Sequence, residues 1–169
     1  MRSTTVAIIE SDAPNLGETT MCRHRNGLVT LMLTLCPITW AQADDIEKAV
    51  DYRQGLMNVY AYNVTSMGDM IKGKRAFDSA AFVRYAEDLT TAARLDLLVG
   101  FPEDSVNDES EASATIWPEW DGFRQKYEAL KTQSARLAEV AAGGDEAAVK
   151  EQFGKTAKTC KGCHDDFKD

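Results

Sequence analysis

Beyond residue 43 the apolar side chains recur at steps of three and four, and no stretch alternates as a strand would. Ile46, Ala49, Val50, Leu56, Met57, Tyr60, Val64, Met67 and Ile71 share one helix face, with Asp44 and Asp45 as capping residues for its start. Lys72-Gly73-Lys74 ends that helix. A second stripe starts near Asp78 and carries Phe82, Tyr85, Leu89, Ala92, Ala93 and Leu97 before Gly100-Phe101-Pro102 stops it. Ile116-Trp117-Pro118 opens a third helix, because proline suits a first turn, and Trp120, Phe123, Tyr127, Leu130, Leu137 and Val140 give it a buried side. Gly143-Gly144 ends this helix, and Asp145 caps a fourth carrying Ala148, Phe153, Ala157, Cys160, His164 and Phe167.

Residues 103 to 115, EDSVNDESEASAT, are acidic and without periodicity, so they read as the long connection between the second and third helices. Four helices and three connections predict an all-α, antiparallel four-helix bundle.

The chain ahead of the bundle has a different character. Met21 to Ala43 reads MCRHRNGLVTLMLTLCPITWAQA: arginines at 23 and 25, an apolar run from Leu28 to Trp40, then the small-x-small pattern Ala41-Gln42-Ala43. That is the layout of a secretory signal peptide cleaved after Ala43. The apolar run falls well short of the roughly 20 residues needed to span a bilayer. Glu10, Asp12 and Glu18 precede it in a segment that should begin positive, which favours Met21 as the true start and leaves residues 1–20 as an extension. Export predicts a soluble periplasmic domain of residues 44–169. The net charge of that domain stays at −8, the value of the whole chain, because residues 1–43 carry three basic and three acidic side chains. An acidic chain without a basic cluster excludes nucleic acid as a partner class.

Cleavage also removes Cys22, Cys36 and His24, so every Cys and His of the remaining domain lies in Cys160-Lys161-Gly162-Cys163-His164. Three chemistries use such residues. Zinc needs three or four protein ligands, and none remains elsewhere among Cys and His to complete the shell. A redox dithiol sits at a helix start after a strand, where the dipole lowers the thiol pKa, whereas this pair lies near a helix end. Covalent haem attachment needs two thiols for the two vinyl groups and an imidazole for the iron. Positions i, i+3 and i+4 share a helix face, and Cys-x-x-Cys-His is the attachment signal for c-type haem. One covalently attached haem c is therefore expected, held by Cys160 and Cys163, with His164 as axial iron ligand.

An attachment motif at the end of the last helix of an exported bundle resembles the class II cytochromes c, above all cytochrome c′, over residues 44–169. Tyr52-Arg53-Gln54-Gly55-Leu56-Met57 is similar to the family's first-helix motif, and Ile116-Trp117 and the terminal CKGCHDDFK also match its pattern. The resemblance implies that Arg53, with Gln54 as a weaker neighbour, meets the haem propionates. On residue pattern alone, Arg53 equally reads as an arginine at the stripe's edge reaching water. It further implies that Met57 occupies the distal side, either packing against an open iron face or binding it as sixth ligand, as in low-spin members. Lys168 stands where many members have arginine, on the proximal side.

The expected function follows from that choice at Met57. An open, five-coordinate high-spin site flanked by Met57, Tyr60 and Phe82 suits nitric oxide and carbon monoxide, which need no charged donor; a Tyr60 hydroxyl aimed at the iron would contradict this. A bound Met57 instead makes an electron carrier. A non-haem helical module with an incidental dithiol is the third reading. Trp117 and Phe123 are expected in the core or at the haem edge. Family likeness implies a homodimer through the first two helices, with Tyr62, Met70 and Phe77 as contacts. No nucleophile and base pair, phosphate loop or carboxylate dyad marks an enzyme.

Overall fold

The computed structural model describes residues 39–103, 105–106 and 110–169; residues 1–38, and with them most of the expected signal peptide, lie outside. Four helices carry the bundle: α1 (Thr39–Ile71), α2 (Ser79–Ala93), α3 (Trp120–Ala142) and α4 (Glu146–Phe167), in an antiparallel arrangement. No helix among the described residues is long and apolar enough to cross a membrane. The core holds Val50, Met67, Phe82, Ala86, Leu89, Ile116 and Leu137, each with at most 1 % of its surface exposed. Most residues of the stripes read from the sequence turn inward or lie half-buried, whereas His164 of the fourth is exposed.

The helix ends differ from expectation in three places. α1 begins at Thr39, ahead of Asp44, and both aspartates lie inside its first turns, each paired with Lys48. α2 stops at Ala93 instead of continuing to Gly100. The physical reason is Tyr127: its hydroxyl donates to the carbonyls of Ala93 (3.0 Å) and Leu95, and accepts from the Leu97 amide (3.3 Å). The freed chain makes a separate 3-10 turn over Leu97–Gly100, capped by the Asp96 carboxylate on the Leu98 amide. α3 begins at Trp120, since Ala114–Ile116 form a 3-10 turn before Pro118. The Trp117 indole N–H turns back onto the carbonyls of Phe101 and Pro102.

Two aspartates cap helices, Asp145 as expected and Asp78 in addition. Asp78 accepts from the Ala81 amide, and Asp145 accepts from Ala147 and Ala148. Gly144 takes φ +76° after α3, the left-handed conformation that glycine permits without strain. Polar stitches fix register across the helices: Thr90 Oγ1 reaches the Ser134 carbonyl at 2.8 Å, and Thr156 Oγ1 reaches the Gln133 carbonyl at 3.1 Å.

α2 packs on α1 and α3, and α3 packs on α4, whereas α1 and α4 barely touch. The slot left between these two helices is where the site lies. Of the three residues expected at a dimer contact, Tyr62 is exposed and Phe77 half-buried, but Met70 is buried in this chain's own core and has no surface to offer a partner.

Tyr127→Phe removes the hydroxyl that serves two carbonyls and one amide at the α2 end. Leaving such groups unpaired costs about 1–3 kcal/mol, so denaturant unfolding should show a loss of that size.

Candidate haem site

A cavity of about 650 Å³ fills the slot between α1 and α4. That is within the range of roughly 300–1,000 Å³ for cofactor sites. Both thiols of the attachment motif and His164 line it from α4, and Gln54, Met57 and Tyr60 line it from α1. Phe101, Ile116, Phe123 and Leu130 close the interior, and Lys168 with Glu111 stands at one end. The motif residues and the first-helix motif thus face one another across a single apolar space.

Cys160 and Cys163 are free thiols three residues apart on α4, half-buried. Burial pushes the Cys160 thiol above its ordinary pKa and the Cys163 thiol up to about 11, the latter partly offset by the Lys126 ammonium. A reactive dithiol has the opposite shift. Among the described residues no group of three or more His, Cys, Asp or Glu side chains is placed to hold a metal ion, so zinc lacks its remaining ligands. Haem brings four nitrogens of its own and asks the protein for one axial ligand, two thiols and an apolar slot. These residues fit it.

Arg53 is 2 % exposed, so it does not reach water from the stripe's edge. Its guanidinium donates to the Gly100 carbonyl (2.7 Å), to the hydroxyl and carbonyl of Ser105 (2.7 and 2.6 Å) and to the Ser110 hydroxyl (2.6 Å). It also lies 4.7 Å from the centre of the Phe101 ring. Burial lowers its pKa, although a guanidinium remains charged in proteins. Among the described residues its hydrogen-bond partners are carbonyls and hydroxyls, with no carboxylate. Gly100 makes the close approach possible: a Cβ there would stand 2.8 Å from the Arg53 Cβ and 3.2 Å from the Ala49 carbonyl oxygen.

The acidic connection therefore does more than join two helices. Ser105 is fully buried and Ser110 lines the cavity. Beyond them the connection is clasped to the end of α4. Ser113 N donates to the Phe167 carbonyl and Asp169 N to the Glu111 carbonyl, each at 3.0 Å. Lys168 and Glu111 add an ion pair at 3.0 Å.

On the α1 side, Met57 is half-buried and faces the same cavity as His164. The Tyr60 hydroxyl turns away to donate to the Ala92 carbonyl at 3.3 Å, and burial pushes its pKa up. Phe82, expected beside Met57, is instead stacked between Phe77 and Phe153 and does not line the cavity. Phe101, which the sequence offered only as a helix stop, contributes to the wall in its place. Phe123 lines the cavity, as expected of core or haem-edge packing, whereas Trp117 serves the connection. Lys126, on the polar flank of the α3 stripe between Phe123 and Leu130, was missed by sequence reasoning, because nothing in α3 alone shows that its ammonium meets α4.

The sequence model of the family described as Cytochrome C' matches residues 48–168. The chain belongs to the cytochrome c′ family. A cytochrome c′ of Cereibacter sphaeroides is 37 % identical over 145 residues, which cover 83 % of this chain and 95 % of the relative. Among solved structures, cytochrome c′ of Shewanella frigidimarina superposes with a TM-score of 0.71 at 36 % identity, covering 74 % of this chain and 97 % of that one. A mutant cytochrome c′ of Alcaligenes xylosoxidans, solved as a nitric oxide complex, gives 0.66 at 28 % identity, covering 73 % and 96 %. Members of this family carry covalently attached c-type haem, and haem c is the cofactor of this chain.

Arg53→Ala would leave the carbonyls of Gly100 and Ser105 buried without their donor. The expected loss is about 2–4 kcal/mol in denaturant unfolding, from unpaired polar groups and the emptied space.

Proposed function

We propose that the chain is an exported haem protein whose haem is held covalently by Cys160 and Cys163, has His164 as its axial ligand, and takes up nitric oxide or carbon monoxide on the side facing Met57. When bound, the haem supplies an iron with a second axial position for a small molecule. The protein's part is to hold, orient and shield. Cys160 and Cys163 would hold the ring on α4 through thioether bonds to its two vinyl groups. His164, one position after the second thiol, approaches from the same helix face. Arg53 is a buried cation in the lining of the cavity, a side chain that pairs strongly with carboxylates such as a haem propionate, and Gln54 lies beside it on α1. Lys168, tied to Glu111, contributes a cation at the end of the cavity.

The observation that carries the gas-binding reading is the direction of the Tyr60 hydroxyl. Together with Tyr127, whose hydroxyl is likewise committed to α2 carbonyls, it leaves the Met57 side without a phenolic donor. With both tyrosine hydroxyls spent elsewhere the wall offers less to bound dioxygen, whereas nitric oxide and carbon monoxide need such a donor less. The nitric oxide complex of the Alcaligenes relative supports the same reading. Met57 gives the second reading its footing: a thioether facing the cavity opposite His164 can complete the coordination and make an electron carrier.

An absorption spectrum of the haem-loaded protein separates the two. A high-spin spectrum that changes when carbon monoxide meets the reduced form is expected; a low-spin spectrum indifferent to carbon monoxide would transfer the role of Met57 to ligand. His164→Ala should keep the haem covalently attached while changing the spectrum, and an unaltered spectrum would remove His164 as the axial residue.

Export rests on the charged, apolar and small-x-small order of residues 21–43. Cleavage after Ala43 would place Asp44 and Asp45 in the opening turn of α1, where negative charge suits the helix dipole. Amino-terminal sequencing of protein recovered from the periplasm should read Asp-Asp-Ile-Glu-Lys; a start upstream of Ala43 would contradict the assignment.

A further inference from the structure

Two ion pairs among the described residues clasp the final turns of α4 from another element. One is Lys168 with Glu111; the other joins α3 to α4. In the second, Lys126 Nζ stands 2.7 Å from Asp166 Oδ2 and donates to the Gly162 carbonyl, also at 2.7 Å. Most other ion pairs of the bundle lie within one helix at i,i+3 or i,i+4.

The placement is specific. Gly162 is one of the two residues between the thiols, next to Cys163, and Asp166 follows His164 by two, so Lys126 grips the chain on both sides of the histidine. The Lys126 side chain is 34 % exposed and lines the cavity, so its ammonium stands beside the space the haem would take. Position 162 lies directly under this ammonium, since a Cβ there would be in ordinary contact with Lys126 Nζ at 3.8 Å.

We propose that Lys126 is a positioning residue of the proximal side, which locks the attachment turn against α3 and, with Asp166, sets the reduction potential of the haem. The inference rests on the haem reading above. Ferric haem carries one more positive charge than ferrous haem, so a nearby ammonium favours the reduced form and a nearby carboxylate the oxidised form. The two members of one ion pair therefore act on the potential with opposite sign.

Redox titration of the haem-loaded protein tests this. Lys126→Met should lower the midpoint and Asp166→Asn should raise it. Each should change the ferrous-to-ferric ratio at fixed ambient potential by roughly two- to fivefold, the range an incompletely buried ion pair supports. Lys126→Arg should restore the parent midpoint. A merely structural clasp would lower stability in both variants without opposed shifts. Shifts of one sign, no shift in either variant, or failure of arginine to restore the midpoint would overturn the proposal. Asp166→Asn keeps the test open if Lys126→Met folds poorly. The mass of the denatured protein, read first, separates the two levels: without covalent haem the parent reading fails, and with haem attached but midpoints unmoved only the role of Lys126 fails.

Discussion

A buried guanidinium is the point on which the site hangs. Arg53 sits within the apolar stripe of α1, where an unpartnered cation would be costly. The Gly100, Ser105 and Ser110 oxygens offset that cost by converging on it. In doing so they draw an acidic, aperiodic stretch of chain inward and make it a wall. Without Arg53 the segment has few apolar residues to bury; with it, the connection covers one end of the slot and presents Ser110, Glu111 and Ala112 to the cavity.

The rest of the site is built by what the helices do not fill. Long side chains pack α2 against α1 and α3 against α4, and α1 and α4 stay apart. Much of the gap is lined by apolar residues, and Tyr60 and Tyr127, which also line it, spend their hydroxyls on α2 carbonyls. Burial also keeps the two thiols protonated, as suits side chains that are to be capped by carbon and not cycled between thiol and disulfide.

The bundle was legible because a helix writes its buried face at steps of three and four, and the attachment motif was legible because its three residues share one turn. Met57 and His164 were named together by likeness to a family pattern, and both line one cavity. What stayed hidden was set by tertiary contact. Nothing in residues 94 to 100 tells that a hydroxyl from α3 will terminate α2, so a stripe that continues to Leu97 reads as one helix. Phe82 and Phe101 are equally apolar in sequence, and only packing decides that the first joins Phe77 and Phe153 while the second faces the cavity. Lys126 reads as solvated in α3 because its partners, Gly162 and Asp166, lie more than thirty-five residues on.

The double anchorage of the connection has a mechanical meaning. One end is fastened to α1 through Arg53, and the other to α4 through Ser113, Asp169 and the Lys168–Glu111 pair. α1 and α4 hardly meet directly, so residues 110–113, held to α1 through Ser110 and to α4 through Ser113, act as a spacer beside the slot. One residue added or removed changes its reach by about 3.5 Å, a large step against the roughly 8–10 Å that separates packed helices. The length of that stretch is held to the width of the slot it spans.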